Sequence, residues 1–210
     1  MMWRVIFLML CAALPSAAIA QLAPGRSGFS STSYLGGQAA WNELSDFGRC
    51  YASNERSDAM KLVTTKAGSA EEAQTYKQLF GKANQYCLGS VTSMRASSMM
   101  VRGSIAEGLY KKRIAVPANL AVATAPAVEQ VHNLSEAALC YAGRNRGEAQ
   151  SLVDGTKAGS KEEYAAIGAL WDRFGECIPQ TARKSMQIEV TLVRFRIAEA
   201  LWRLGMAPGQ

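Results

Sequence analysis

The sequence predicts an all-α protein, two tandem repeats of about 90 residues, each of roughly four helices and each closed by its own disulfide. Three observations carry this expectation. Apolar residues recur at three- and four-residue steps, the spacing that lines one face of a helix. The phrase KAGSAEE (66–72) returns as KAGSKEE (157–163). Cys50 and Cys87 lie 37 positions apart, as do Cys140 and Cys177.

Taken in order, residues 1–20 (MMWRVIFLMLCAALPSAAIA) read as a secretory signal. Arg4 precedes the apolar run Val5 to Leu14, Pro15 breaks it, and Ala18-Ile19-Ala20 supplies the small-x-small pattern of a cleavage site. The run is shorter than the ~20 apolar residues that span a bilayer. Cys11 lacks the small residues that precede a lipid-attachment cysteine. Mature protein is therefore expected to start at Gln21 and to work in the periplasm or outside the cell, with no transmembrane segment once the signal is removed. Residues 21–37 are rich in Gly and Ser and read as a flexible lead-in.

Four cysteines then remain, an even number in an exported chain, which suggests disulfides. Three connectivities are open to four cysteines; the equal spacing favours Cys50–Cys87 and Cys140–Cys177. The internal repeat is explicit. Both copies run Cys-Tyr-Ala, Lys-Ala-Gly-Ser, Cys, and then Arg-x-x-Ile-Ala-Glu-x-Leu-aromatic, with VRGSIAEGLYKK (101–112) answering VRFRIAEALWRL (193–204). The offset drifts only from 90 to 92. Repeat 1 spans 38–113, a linker 114–126, repeat 2 127–205 and a tail 206–210.

Helices are expected at 40–52, 56–66, 70–86 and 94–111, then at 127–142, 147–156, 161–175 and 183–204. The first buries Trp41, Leu44, Phe47 and Tyr51. At each recurring phrase a glycine, Gly68 or Gly159, suits the left-handed residue that ends a helix. Ser69 or Ser160 then caps the next helix, and Glu72 or Glu163 completes a capping box. The phrase is thus a helix–turn–helix hinge. Beyond it, Ala73, Tyr76, Phe80 and Ala83 are expected on the core face, answered by Tyr164, Ile167, Trp171 and Phe174. The last helices carry Met94, Ser98, Val101, Ile105 and Leu109, and Val190, Val193, Ile197 and Leu201. MQIEVTLV (186–193) alternates like a strand, but its first-copy counterpart does not, so helix is expected there too.

With its cysteine plus Gly-Ser-x-Glu-Glu hinge and its closing IAEGLY and IAEALW, the chain resembles exported helical-repeat proteins of Gram-negative bacteria that have no established activity. The resemblance implies export and helices over about residues 40–204. It supplies no active site.

The search for chemistry is mostly negative. His132 is the single histidine, which rules out histidine-rich metal sites and leaves a histidine triad without a motif. No nucleophile elbow, phosphate loop or dinucleotide fingerprint is present, so no cofactor is expected. Glu107 and Glu199 recur at matching positions and could in principle form a hydrolytic carboxylate pair. Each also precedes a base by four residues, Lys111 or Arg203, an ordinary stabilising helix pair.

Charge is more informative. Removing residues 1–20 takes away Arg4 and leaves 22 basic against 17 acidic side chains. Residues 95–113 and 180–204 concentrate the excess. Arg95, Arg102, Lys111, Lys112 and Arg113, with Arg183, Lys184, Arg194 and Arg196, are the candidates for a basic helical face that attracts an anionic envelope component or an acidic protein. Nucleic acid is not expected as a partner in that compartment. The function expected is a non-enzymatic binding or adaptor role at the cell envelope. A carboxylate-dependent hydrolase and a chaperone-like protein holding clients in apolar grooves are the alternatives.

Overall fold

A computed structural model describes residues 38–81, 85–88, 96–120, 122–183 and 190–206. Every regular element among them is helical. The first half contains α1 (Gln38–Asn54), α2 (Arg56–Thr64), α3 (Ala70–Gly81) and α4 (Ser98–Lys111), with a 3-10 turn at Gln85–Leu88. The second contains α5 (Leu134–Arg144), α6 (Arg146–Gly155), α7 (Lys161–Glu176), the one-turn α8 (Gln180–Arg183) and α9 (Val190–Arg203). The stretches read as signal and lead-in, Met94, Ala83 and most of the alternating stretch lie outside the described residues; Val190 to Val193 are helical.

α4 is the centre of the molecule. It packs along α1, crosses α9 and rests on α2. Residues 100–110 are all buried, so this helix has no solvent face. Its approach to α1 is close enough for backbones to touch. A Cβ on Gly48 would overlap the Ser104 carbonyl, and one on Gly108 would overlap the Gly48 carbonyl. At the crossing with α9, a Cβ on Gly103 would run into Phe195. Trp41, Leu44, Phe47 and Tyr51 are buried as expected, and residues of both halves join one core.

The hinges form as read, with one change. Gly68 and Gly159 adopt φ of 77° and 74°. Ser69 Oγ accepts the Glu72 amide, and Ser160 Oγ accepts the Glu163 amide, each at 3.1 Å. The return bond of the capping box, however, reaches one residue further back. Gly68 and Gly159, not the serines, donate to the Glu72 and Glu163 carboxylates at 2.6 Å. The serine amides instead bond Lys66 and Lys157 carbonyls, closing the turn.

Three expectations need correction. The helix expected over 127–142 is a 3-10 turn at Val128–Gln130 followed by α5, because Asn133 caps a new start by accepting from the Glu136 amide at 3.0 Å. The inward faces of α3 and α7 are rotated. Glu72, Thr75 and Leu79 are buried on α3, while Phe80 is 49 % exposed and Ala73 is exposed. On α7, Glu163, Ile167, Leu170 and Phe174 are buried, while Tyr164 and Trp171 are exposed. Both helices are turned by the hinge glutamate, which must point inward for the reason given below.

Two disulfides staple the outer layer to the core. Cys50 of α1 joins Cys87 with Cα atoms 5.5 Å apart, and Cys140 of α5 joins Cys177 at the end of α7 with Cα atoms 5.8 Å apart. Both separations are ordinary for a disulfide. The linker closes the other side: Trp202 Nε1 donates to the Ile114 carbonyl at 2.6 Å, and the Ala123 amide to the Arg203 carbonyl at 2.9 Å.

The tight α1–α4 seam makes a contrast between glycines testable. Gly48→Ala forces a methyl into backbone, which cannot rotate away, and should cost about 1–3 kcal/mol or more in urea unfolding. Gly168→Ala, in open space on α7, should instead be neutral or stabilising by up to ~1 kcal/mol.

Candidate functional site

The functional candidates from the sequence converge, but on the interior. Arg102 and Arg194 are each 1 % exposed, and Glu107 and Glu199 each 3 %. The pairing is crossed. Arg102 Nε bonds Glu199 at 2.9 Å, whereas Arg194 holds Glu107 through Nε at 3.1 Å and Nη2 at 2.9 Å. Each arginine thus takes its carboxylate from the other half.

Each arginine also closes the end of a helix in its own half. The last carbonyls of a helix have no partner within it, and they carry the negative end of its dipole. Arg102 donates to the carbonyls of Leu62, Val63 and Thr65 at the end of α2, at 2.8, 2.6 and 2.9 Å. Arg194 does the same for Leu152, Val153 and Thr156 at the end of α6, at 3.1, 2.8 and 3.1 Å. The hinge glutamates complete each cluster. Glu72 bonds Arg102 Nη1 at 2.9 Å, and Glu163 lies 3.7 Å from Arg194 Nε. This is why α3 and α7 turn their first-turn glutamates inward.

The arithmetic of donors matters. A guanidinium has five N–H groups, and on both arginines all three nitrogens are engaged within the protein. Neither is left with a donor for a ligand. The carboxylates are similarly taken. Glu199 also accepts from Arg196 at 2.6 Å and lies 3.9 Å from Arg203; Glu107 also binds Lys111 at 3.1 Å. The local helix pairs expected from the sequence exist, but they are secondary to the pairs across the crossing.

Burial alone would raise the Glu199 carboxyl. The attraction of Arg102 and Arg196, with the Arg102 hydrogen bond and the charge of Arg203, outweighs burial and holds it down to about 2. Glu107 is also lowered, burial being overcome by Arg194 and Lys111. Glu163 goes the other way. Burial and the repulsion of Glu107 outweigh the Gly159 amide and Arg194, so its carboxyl is raised. A lowered carboxyl is the opposite of what a general acid needs at neutral pH.

Arg102, Arg194 and Arg196 are therefore removed from the expected basic face, because their charges are buried and neutralised. Lys111 is partly exposed and bonded to Glu107. Lys112 and Arg113 are exposed just past α4, Arg113 with φ of 54° at the helix end. Arg183 ends α8; Arg95 and Lys184 lie outside the described residues. His132 is exposed beside the start of α5. Among the described residues no group of three or more His, Cys, Asp or Glu could hold a metal ion, and no helix is long and apolar enough to cross a membrane.

What the sequence did not suggest is a cleft of about 230 Å³ over the Arg194–Glu107 pair. Ser45, Asp46 and Arg49 of α1, Lys111 of α4 and Lys157 of the second hinge line it. Trp41 seats that hinge, since a Cβ on Gly159 would collide with its ring. No local pattern links α1 to a hinge more than a hundred positions away, so only the assembled fold reveals this site.

Fold and site together define a disulfide-stapled helical protein with crossed internal ion pairs and a polar cleft over the Arg194–Glu107 pair. No family model, curated protein or solved structure matches the chain.

Two measurements follow. In urea unfolding, Arg194→Met should cost about 3–5 kcal/mol by stranding a buried carboxylate, and Arg194→Met with Glu107→Met should cost clearly less than the two single changes added together. Additive costs would show that the two residues are not coupled. With pH, Glu199 and Glu107 contribute stability that is fully present above the ordinary carboxyl value of 4.5 and is lost as pH falls toward about 2. Glu163, whose folded value is raised, adds stability earlier, as pH falls toward 4.5, and gives no slope below it. Stability should therefore fall from about pH 4.5 downward, and less steeply in Glu199→Gln.

Proposed function

We propose that this protein is exported after loss of residues 1–20 and acts as a non-enzymatic binding protein of the cell envelope, with the cleft over Arg194 and Glu107 as its ligand site. The observation that carries this reading is a polar cleft with a preformed floor. Its floor is an ion pair that is already satisfied, and the hinge that lines it is pinned by Trp41. Ligand sites are commonly largely preformed in this way. Two disulfides support an oxidising compartment.

The reading keeps the sign of charge expected from sequence and changes its place. A broad basic face would have needed Arg102, Arg194 and Arg196 in solvent. Their burial leaves Arg49, Lys111 and Lys157 at the cleft as the cations within reach of a ligand. The hydrolase reading needs carboxylates with a free oxygen and a proton to give, whereas Glu107 and Glu199 are held ionised by arginines.

Native mass spectrometry of the protein, purified gently from the envelope fraction of its own host, tests this. The expected result is a mass that starts at Gln21, is four hydrogens below the reduced chain, and carries a reproducible extra component lost on unfolding. A bare protein, or one found only in the cytoplasm, would overturn the reading.

A further inference from the structure

We infer that the cleft takes a small anion, a carboxylate or phosphate group, held between Ser45 on α1 and Lys157 on the second hinge. This deepens the reading above and rests on it. Three observations point to the ligand's chemistry.

The first is the Ser45 hydroxyl. Ser45 is 9 % exposed, its Oγ is buried, and it has no hydrogen-bond partner, yet it lines the cleft. Buried hydroxyls are normally paired. The buried hydroxyls of Thr65 and Ser104, by comparison, bond helix carbonyls at 2.7 and 2.9 Å. A ligand oxygen in the cleft would supply the acceptor that Ser45 lacks.

The second is charge. Arg49, Lys111, Lys157 and Arg194 line the cleft against Asp46 and Glu107. Arg49 pairs with Asp46, and Arg194 and Lys111 share Glu107. Lys157 is exposed and joins no ion pair among the described residues, though Glu162 feels it at longer range. The lining is net positive; Lys157 is its cation without a carboxylate partner, and Ser45 its buried hydroxyl without an acceptor. Both suit an oxyanion. The helix end at this hinge is not the binding element, because Glu163 already occupies it.

The third is an asymmetry between the halves. At the matching end of α9, Val116, Leu120 and Ala123 of the linker join Thr64, Trp202 and Arg203 around a recess of only about 90 Å³. The position answering Arg49 is Leu139, which is buried. The recess in the first half is smaller, and the linker supplies three of the residues around it. The open cleft has room for roughly seven or eight waters, below the ~300–1,000 Å³ of sites for drug-sized molecules. The ligand is correspondingly small.

The test is an amide-resolved NMR titration of the mature, oxidised protein with inorganic phosphate, succinate and glucose at constant ionic strength. Saturable shifts confined to the surroundings of Ser45 and Lys157, with phosphate or with succinate, are expected. The tighter of the two probes identifies the group. Lys157→Glu should weaken that binding at least about tenfold, which corresponds to ~1.4 kcal/mol. Lys77→Glu, the same charge change on exposed α3, should leave it unchanged. Ser45→Ala should weaken binding while leaving the ligand-free protein as stable or more so, an opposition that a purely structural serine would not produce. Equal loss in Lys157→Glu and Lys77→Glu would overturn the inference as diffuse attraction. Glucose moving the cleft residues while both anions do not would overturn the anion but leave the cleft a binding site. Silence from all three probes would sink the inference and the cleft reading together.

Discussion

The structure depends on two arginines buried at the place where its two central helices cross. Arg102 and Arg194 each bind a carboxylate of the opposite half, the end of a helix in their own half, and a hinge glutamate. Burying a charge is costly, and burying a pair is favourable only when every remaining donor and acceptor is met. Here the spare guanidinium donors go to carbonyls that lacked partners anyway. The same contacts that satisfy the charge also end α2 and α6, orient α3 and α7, and lock α4 onto α9. A crossed pair of this kind specifies register: sliding α4 along α9 by one turn would strand four charged groups at once.

This explains which features were legible in the sequence and which were not. The hinges were legible because glycine, serine and glutamate act on atoms only a few positions away, and Gly68 and Gly159 duly take up positive φ. The disulfides were legible because equal spacing favoured one of three connectivities, and Cys50–Cys87 and Cys140–Cys177 form. The role of the charged residues was hidden by a local coincidence. Glu107 and Glu199 stand four residues before Lys111 and Arg203, the spacing of an ordinary surface pair, and those contacts do form. The stronger partners lie 87 and 97 positions away, beyond any local pattern.

A signal was nevertheless present. α4 reads Met-Met-Val-Arg-Gly-Ser-Ile-Ala-Glu-Gly-Leu-Tyr, with apolar or small residues on every side of Arg102 and Glu107. A helix that is apolar all round is buried, and an arginine and a glutamate inside such a helix require partners there. Read that way, the helix places its charges in the core without reference to any fold. The error on α3 and α7 has the same root. Aromatic residues at helical spacing suggested the core face, but the hinge carboxylate set the rotation, and Phe80, Tyr164 and Trp171 were carried outward.

The buried pairs also decide what the cleft is able to do. A pocket floored by a free arginine or glutamate would offer strong charge but would collapse or titrate with its contents. A floor made of Arg194 and Glu107 is electrically nearly neutral and has no donor to give, so it serves as a rigid base. Selectivity then falls to the other lining groups, Ser45 of α1 and Lys157 of the second hinge among them. The hinge is tied to the floor through Glu163 and to α1 through Trp41, and α1 is tied to the floor through its glycine seam with α4. A ligand bridging them would therefore meet groups already in place, losing little to reorganisation. Beside the end of α9 the linker packs instead, Trp202 reaching the Ile114 carbonyl, so two halves built on one buried pattern present different surfaces to solvent.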